Sequence, residues 1–229
     1  FVASLMAFGA AEGETEHPAQ AESEEAREER LFQMWSGSLG IGLMITDLCE
    51  DCRSGIPLLK VMDHVQPGCV EWKRVLEAPK SIFERTANCN YACEVAHSIS
   101  GIRVVGISGS DIAAGSPKLT LAIWWQLMRK DMMHFLDELD VDAAHVMSWA
   151  NAKVKGAGCT LQMTKFADPM LASGVFLLTL LGSVAPECVD PRMITPGASK
   201  HEAELNARYA VSVAHKSGCR VFVLWEDIV

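Results

Sequence analysis

Four cysteines stand at spacings able to hold a metal ion. Cys49-Glu-Asp-Cys52 is a CxxC pair, and Cys89 and Cys93 lie one helical turn apart, so four thiolates could close a tetrahedral zinc site. The same residues have a plainer use, since a thiol is small, apolar and suited to gaps between packed helices. Packing is the favoured reading, because Cys49 and Cys52 have no counterparts in the repeat that relates the two halves of the chain. His97 and His215 do recur with that repeat and are read as scaffold, not as ligands. Other chemistries fail on spacing. Gly106-Ile-Ser-Gly109 is too short to wrap a phosphate, and Gly115-Ser-Pro-Lys118 lacks a lysine directly after its glycine. Neither HExxH nor GxSxG occurs. The expectation is a non-enzymatic protein with no catalytic residue, no metal and no cofactor.

Composition narrows the class further. The 229 residues are 49% apolar and 21% charged, with a formal net charge of −9. That length suits one large domain or two of about 100–120 residues each. Residues 1–30 hold eight Glu against Arg27 and Arg30, a net of −6, which leaves −3 for the rest. No stripe of consecutive Lys and Arg interrupts this acidity, so nucleic acid is not an expected partner. The longest apolar run, Val175 to Leu181, falls far short of the ~20 residues of a membrane span, so no membrane is expected either. The eight cysteines sit in a chain long enough to fold without staples, which points to reduced thiols and a cytoplasmic location. The opening residues FVASLMAFGAA lack a basic leader, and the first residue is not Met; a piece of a longer protein is expected.

The elements that position these residues come in two copies. DCRSGIPLLKVMDHVQPGCVEW (51–72) reads again as DPMLASGVFLLTLLGSVAPECVDP (168–191), with Gly55 on Gly174, Pro67 on Pro186 and Cys69 on Cys188. NCNYACEVAHSISGIRVVGISGSDI (88–112) recurs as LNARYAVSVAHKSGCRVFVLWEDIV (205–229), pairing Tyr91 with Tyr209, His97 with His215 and Asp111 with Asp227. Trp35 and Trp149 head the two copies. Their apolar residues recur at helical period, and the helix through SGIPLLKVMDHV stops at Gln66-Pro67-Gly68. The longest predicted helix is 118–139, with Leu121, Trp125, Met128, Met132 and Phe135 as its inward stripe. Trp124 and Trp125 are both read as core residues, although at 100° spacing at most one can face fully inward. The pieces RVV (103–105) and RVFV (220–223) are read as irregular. Residues 9–26 form an acidic linker, too poor in large apolar side chains to fold, although the turn EEAREER already reads as helix.

These repeats carry a resemblance. NCNYACEVAHSISGIRVVGISGSDIAAG followed by LTLAIWWQLMRK resembles the third calponin-homology module of the fimbrin (plastin) family, and NARYAVSVAHKSGCRVFVLWEDIV resembles the fourth. FVASLMAF (1–8) is similar to the end of the preceding module's last helix. The resemblance implies an all-α fold of tandem calponin-homology domains, about four main helices each, over residues 27–139 and 140–229. Two departures from the pattern are noted: the second module ends before its final helix, and the chain is a few residues short near 76–87. The implied function is that of one actin-binding unit of an actin-bundling protein, a cytoskeletal monomer whose partner is filamentous actin. No Asp-rich loop of calcium-holding spacing occurs, so the family's calcium-binding motifs are expected only elsewhere in the parent protein. The alternative is a calponin-homology scaffold that binds microtubules or a signalling partner instead.

Carried over residue by residue, the resemblance places actin contacts on Glu29–Trp35, on Lys118–Asp137 and on parts of Ala143–Lys155. The expected contact residues are Arg30, Gln33, Lys118, Ala122, Gln126, Arg129, Lys130, Met133, Lys153 and Lys155. Cations beside apolar side chains on an exposed helix suit a filament with an acidic surface. By spacing alone the same cations read as ordinary solvated charge. A closed form, with the second module over the first module's last helix, is also expected. Asp111, Asp227, Tyr91 and Tyr209 are read as structural, because both copies carry them.

Overall fold

The structure is a computed structural model and describes residues 23–139 and 142–229. The expected remnant at 1–8 and the linker through residue 22 lie outside the described residues. Every regular element among the described residues is helical, as the repeats imply. In chain order the α-helices are α1 (Glu24–Ser38), α2 (Leu48–Cys52), α3 (Ile56–Val65), α4 (Ile82–Ser98), α5 (Gly109–Ala113), α6 (Pro117–Leu139), α7 (Ala143–Gly156), α8 (Val175–Val184) and α9 (Lys200–Lys216). Short 3-10 turns fill several connections, and the RVV and RVFV pieces are irregular. Two compact units result, spanning described residues up to 137 and from 138 onward. No described helix is long and apolar enough to cross a membrane.

The first unit closes around aromatic residues. Ser23 caps α1 by accepting the Ala26 N–H, and the helix then buries Leu31, Phe32 and Trp35 on one side. Trp35 meets Trp124 of α6 edge to face at 5.7 Å, and Phe32 lies 6.1 Å from Trp124. Leu58, Leu59 and Met62 of α3 and Ile123 and Leu127 of α6 complete the core. Each such side chain contributes about 1.5–3 kcal/mol by leaving water. One carboxylate is buried with them. Asp131 is 3% exposed and accepts the Trp35 indole N–H at 3.0 Å, with His64 Nε2 4.0 Å from its other oxygen.

The second unit repeats the plan with smaller residues. Val146, Ala150 and Val154 form the inner stripe of α7, at the i, i+4, i+8 positions of a helix. They share a core with Phe176, Leu177, Leu178, Leu180 and Leu181 of α8 and with Ala207, Ala210 and Val211 of α9.

The duplication is visible atom by atom. Gly55 and Gly174 start α3 and α8 at φ 74° and 71°, and a Cβ on either would come within 2.9 Å of Asn88 Cβ or 2.7 Å of Asn206 Cβ. Those asparagines are buried hubs. Asn88 Nδ2 donates to the Ser54 and Leu76 carbonyls while its Oδ1 accepts the Leu76 N–H. Asn206 makes the same three bonds to Ser173 and Thr195, and accepts the Thr195 hydroxyl as well. Tyr91 and Tyr209 each accept a backbone N–H, from Glu71 and Asp190 respectively, both at 2.7 Å. Ser81 with Glu84 and Ser199 with Glu202 cap α4 and α9 reciprocally. Asp111 and Asp227 each accept a backbone N–H three residues upstream, a structural use in both copies.

Candidate functional site

Helix α6 presents the site. Thr120, Leu121, Ile123, Trp124, Leu127, Met128 and Asp131 are all buried. With 100° per residue, the opposite stripe about 80° wide carries Lys118, Ala122, Trp125, Arg129 and Met133. Lys118 and Arg129 are exposed, Ala122 is half-buried, Trp125 is 39% exposed and Met133 is 47% exposed. The result is an apolar strip with cations set between Trp125 on one side and Ala122 and Met133 on the other.

This corrects the inward stripe expected for α6. Trp125 does not point into the core; Trp124 and Leu127 do, alongside Leu121 and Met128. Met132 is only half-buried, and the side chain of Phe135 lies outside the described residues. Only one tryptophan of an adjacent pair can meet Trp35, and α6 turns Trp124 to it. Trp125 is left at the edge, where its ring stands T-shaped on Phe32 at 5.3 Å and its far side meets solvent.

Two of the expected contact residues are engaged within the fold. Gln126 Oε1 accepts the Arg103 N–H at 2.6 Å, and its Nε2 donates to the Arg103 carbonyl at 3.0 Å and to the Ala122 carbonyl at 3.2 Å. Gln33 Nε2 donates to the Thr46 carbonyl at 3.0 Å. Much of Glu29–Trp35 is spent the same way, since Leu31, Phe32 and Trp35 are buried and Glu29 accepts the Leu48 N–H at the start of α2. Arg30 is half-buried, as is Lys130.

Lys153 and Lys155 are exposed in the last turn of α7 and belong to the second unit. They flank buried Val154 and, two residues apart on a helix, leave it in different directions. Between α7 and the segment before α8, Asn151 pairs both amide atoms with the Met163 backbone. Sequence reasoning missed Asn88, Asn206 and Asn151, although the alignment of Asn88 with Asn206 in the two repeats was a usable signal.

The cysteines serve the core. The Trp124 indole N–H donates to Cys52 Sγ at 3.2 Å, and the Cys89 thiol donates to the Arg53 carbonyl at 3.5 Å. Burial pushes the Cys89 thiol up to about 12, and burial with the neighbouring Glu29 carboxylate pushes Cys49 up to about 11. Cys52, fully enclosed, is raised further still by burial. Among the described residues no group of His, Cys, Asp or Glu is arranged to hold a metal ion.

Comparison with known proteins places this geometry. Fimbrin-4 of Arabidopsis thaliana is 40% identical over 216 residues, which is 91% of this chain and 33% of that protein. Fimbrin of Schizosaccharomyces pombe is 38% identical, over 93% of this chain and 36% of that protein. The chain thus spans about a third of the length of the curated relatives it matches. The crystal structure of the actin-crosslinking core of Schizosaccharomyces pombe fimbrin superposes with a TM-score of 0.58 at 37% identity, covering 93% of this chain and 46% of that one. The calponin homology (CH) domain matches twice, at residues 33–132 and 141–229. With two such domains covering most of its length, the chain belongs to the calponin homology family, and its relatives within that family are fimbrins and plastins.

Proposed function

We propose that the chain is an actin-filament-binding unit of a fimbrin-like bundling protein, and that it works by docking rather than by catalysis. The observation that carries this reading is the outer stripe of α6. Lys118 and Arg129 are interleaved with the apolar residues Ala122, Trp125 and Met133 on a helix whose other side is buried. Exposed aromatic and apolar side chains beside cations are what an acidic protein surface recognises. Similarity to proteins named fimbrin, and to a structure titled an actin-crosslinking core, supports actin as the surface concerned. Lys130 adjoins the strip, and Arg30, Lys153 and Lys155 extend the reading to α1 and α7. In this reading the two domains are 27–139 and 140–229, the unit acts as a monomer on the cytoplasmic cytoskeleton, and calcium-binding motifs lie elsewhere in the longer protein.

Co-sedimentation with filamentous actin tests it. Pelleting at high centrifugal speed but not at low speed is the expected result, because one unit attaches without bundling. Changing Arg129→Glu together with Lys130→Glu should abolish the pelleting while leaving the helical circular-dichroism melt unchanged. A double variant that pellets like the original chain overturns the assignment of the face. Pelleting with microtubules and not with actin overturns the choice of filament.

A further inference from the structure

The loop between α4 and α5 lies along the flank of α6 at Gln126, and its side chains alternate. Ile102 and Val104 are buried at 7% and 3% exposure, whereas Arg103 is exposed and Val105 is 87% exposed. What holds the loop there is Gln126. Its amide takes both backbone groups of Arg103, accepting from the N–H at 2.6 Å and donating to the carbonyl at 3.0 Å, while a third bond ties it to its own helix at Ala122. A side-chain amide that satisfies an exposed loop residue on both sides fixes that residue's position, much as a neighbouring strand would. Gln126 precedes Lys130 by one helical turn and follows Ala122 by one, so Arg103 is pinned beside residues of the proposed docking strip.

We infer that Arg103 is a further contact residue of the actin-binding face, with Val105 beside it, and that Gln126 is a positioning residue for Arg103 and not a contact. The inference rests on the actin reading given above. It enlarges the face from one helix to a helix and a loop. Gln126 lies about 20° beyond Met133 around α6, so the loop adds a cation along the Ala122–Met133 flank of the strip, away from Trp125. An acidic partner would then be met by cations within the strip and along one flank of it.

A double-mutant cycle on the full chain tests this, read by actin co-sedimentation at low and at physiological salt. Arg103→Ala should weaken binding on the order of fivefold and flatten its salt dependence, and Arg103→Lys should restore most of the loss. Gln126→Ala should weaken binding by a similar factor alone and by almost nothing in the Arg103→Ala background, because it acts only through Arg103. Full affinity in Arg103→Ala overturns the inference, and so does a Gln126→Ala loss that persists undiminished in that background. Thermal melts of the Arg103 variants should coincide with that of the original chain, whereas Gln126→Ala, which loses three part-exposed hydrogen bonds, should melt a few degrees lower and still be fully folded at the assay temperature. Loss of binding in Arg129→Glu with Lys130→Glu, alongside full binding in Arg103→Ala, would leave the actin reading standing and remove the loop from it. An original chain that does not pellet with actin overturns both.

Discussion

Replacing Asn88 by alanine should destabilise the first unit by about 3 kcal/mol, from three hydrogen bonds of about 1 kcal/mol net each. The side chain is 1% exposed, and its loss leaves the Ser54 carbonyl and both backbone groups of Leu76 without their partners. Asn206→Ala should cost the second unit about the same, because the Thr195 hydroxyl, with its single proton, keeps the Glu202 carbonyl at 3.0 Å as its acceptor. Urea unfolding followed by tryptophan fluorescence gives the energies, since both units carry tryptophan. Amide hydrogen exchange gives the location. In Asn88→Ala the Leu76 N–H should lose its protection while the Thr195 N–H keeps it, and Asn206→Ala should do the reverse. A cost under 1 kcal/mol at either site, or unchanged exchange at Leu76, would refute the view that these amides hold the loops.

The two tryptophans of α6 should separate stability from binding: Trp124→Ala should cost about 3–5 kcal/mol in a urea melt, whereas Trp125→Ala should chiefly weaken actin pelleting. Binding to actin should fall as salt rises past about 0.15 M, where charges are screened beyond ~8 Å; an affinity flat in salt would assign the contact to the apolar strip alone. Thiol reagents at pH 8 should label Cys49 and Cys69 about a hundredfold more slowly in the folded chain than in urea, since both thiols are raised to about 11. Cys89 is neutral in the folded chain up to about 12 but ionises near 9 when unfolded, so its contribution to stability is complete below pH 9 and is lost as pH rises toward 12. An alkaline stability curve unchanged by Cys89→Ala would contradict this. At the acid end, the Thr164 N–H and hydroxyl and the Met170 N–H hold the Asp168 carboxyl below its ordinary range. The stability this confers is present above its unfolded value and lost as pH falls below about 4, and Asp168→Asn should flatten that loss.

Much of the fold was legible because helices declare themselves locally. The apolar stripes, the Ser116-Pro117 opening and the stop after Val65 placed α6 and α3 to within a residue, and the repeat implied that one bundle would be built twice. Side-chain direction was less legible on α6, whose sequence is apolar nearly all round from Leu119 to Met133. Periodicity cannot choose between Trp124 and Trp125 there; Trp35 on another helix makes the choice. Asp131 was hidden for the same reason, since its indole partner is remote in sequence. Gln126 and Gln33 were read as surface residues because an amide looks alike from sequence whether it meets solvent or a loop backbone. Cys52 and Cys89 could be judged as packing residues from type alone, while their hydrogen bonds to Trp124 and to the Arg53 carbonyl could not.

The bond from Trp35 to Asp131 closes the first unit across 96 residues, from its first described helix to the second half of α6. It bears on how the chain can be cut. A fragment that stops at Lys130 would retain Lys118, Trp125, Arg129 and Lys130, and by its inventory of cations would look competent to bind. It would nevertheless lack the carboxylate that the buried indole requires, leaving an unpaired polar group beside Trp124. Truncation mapping across this helix would therefore report a collapse of the core as though it were a missing contact. Point substitutions on the outer stripe avoid that confusion, and any fragment used to isolate the first domain must run through Asp131.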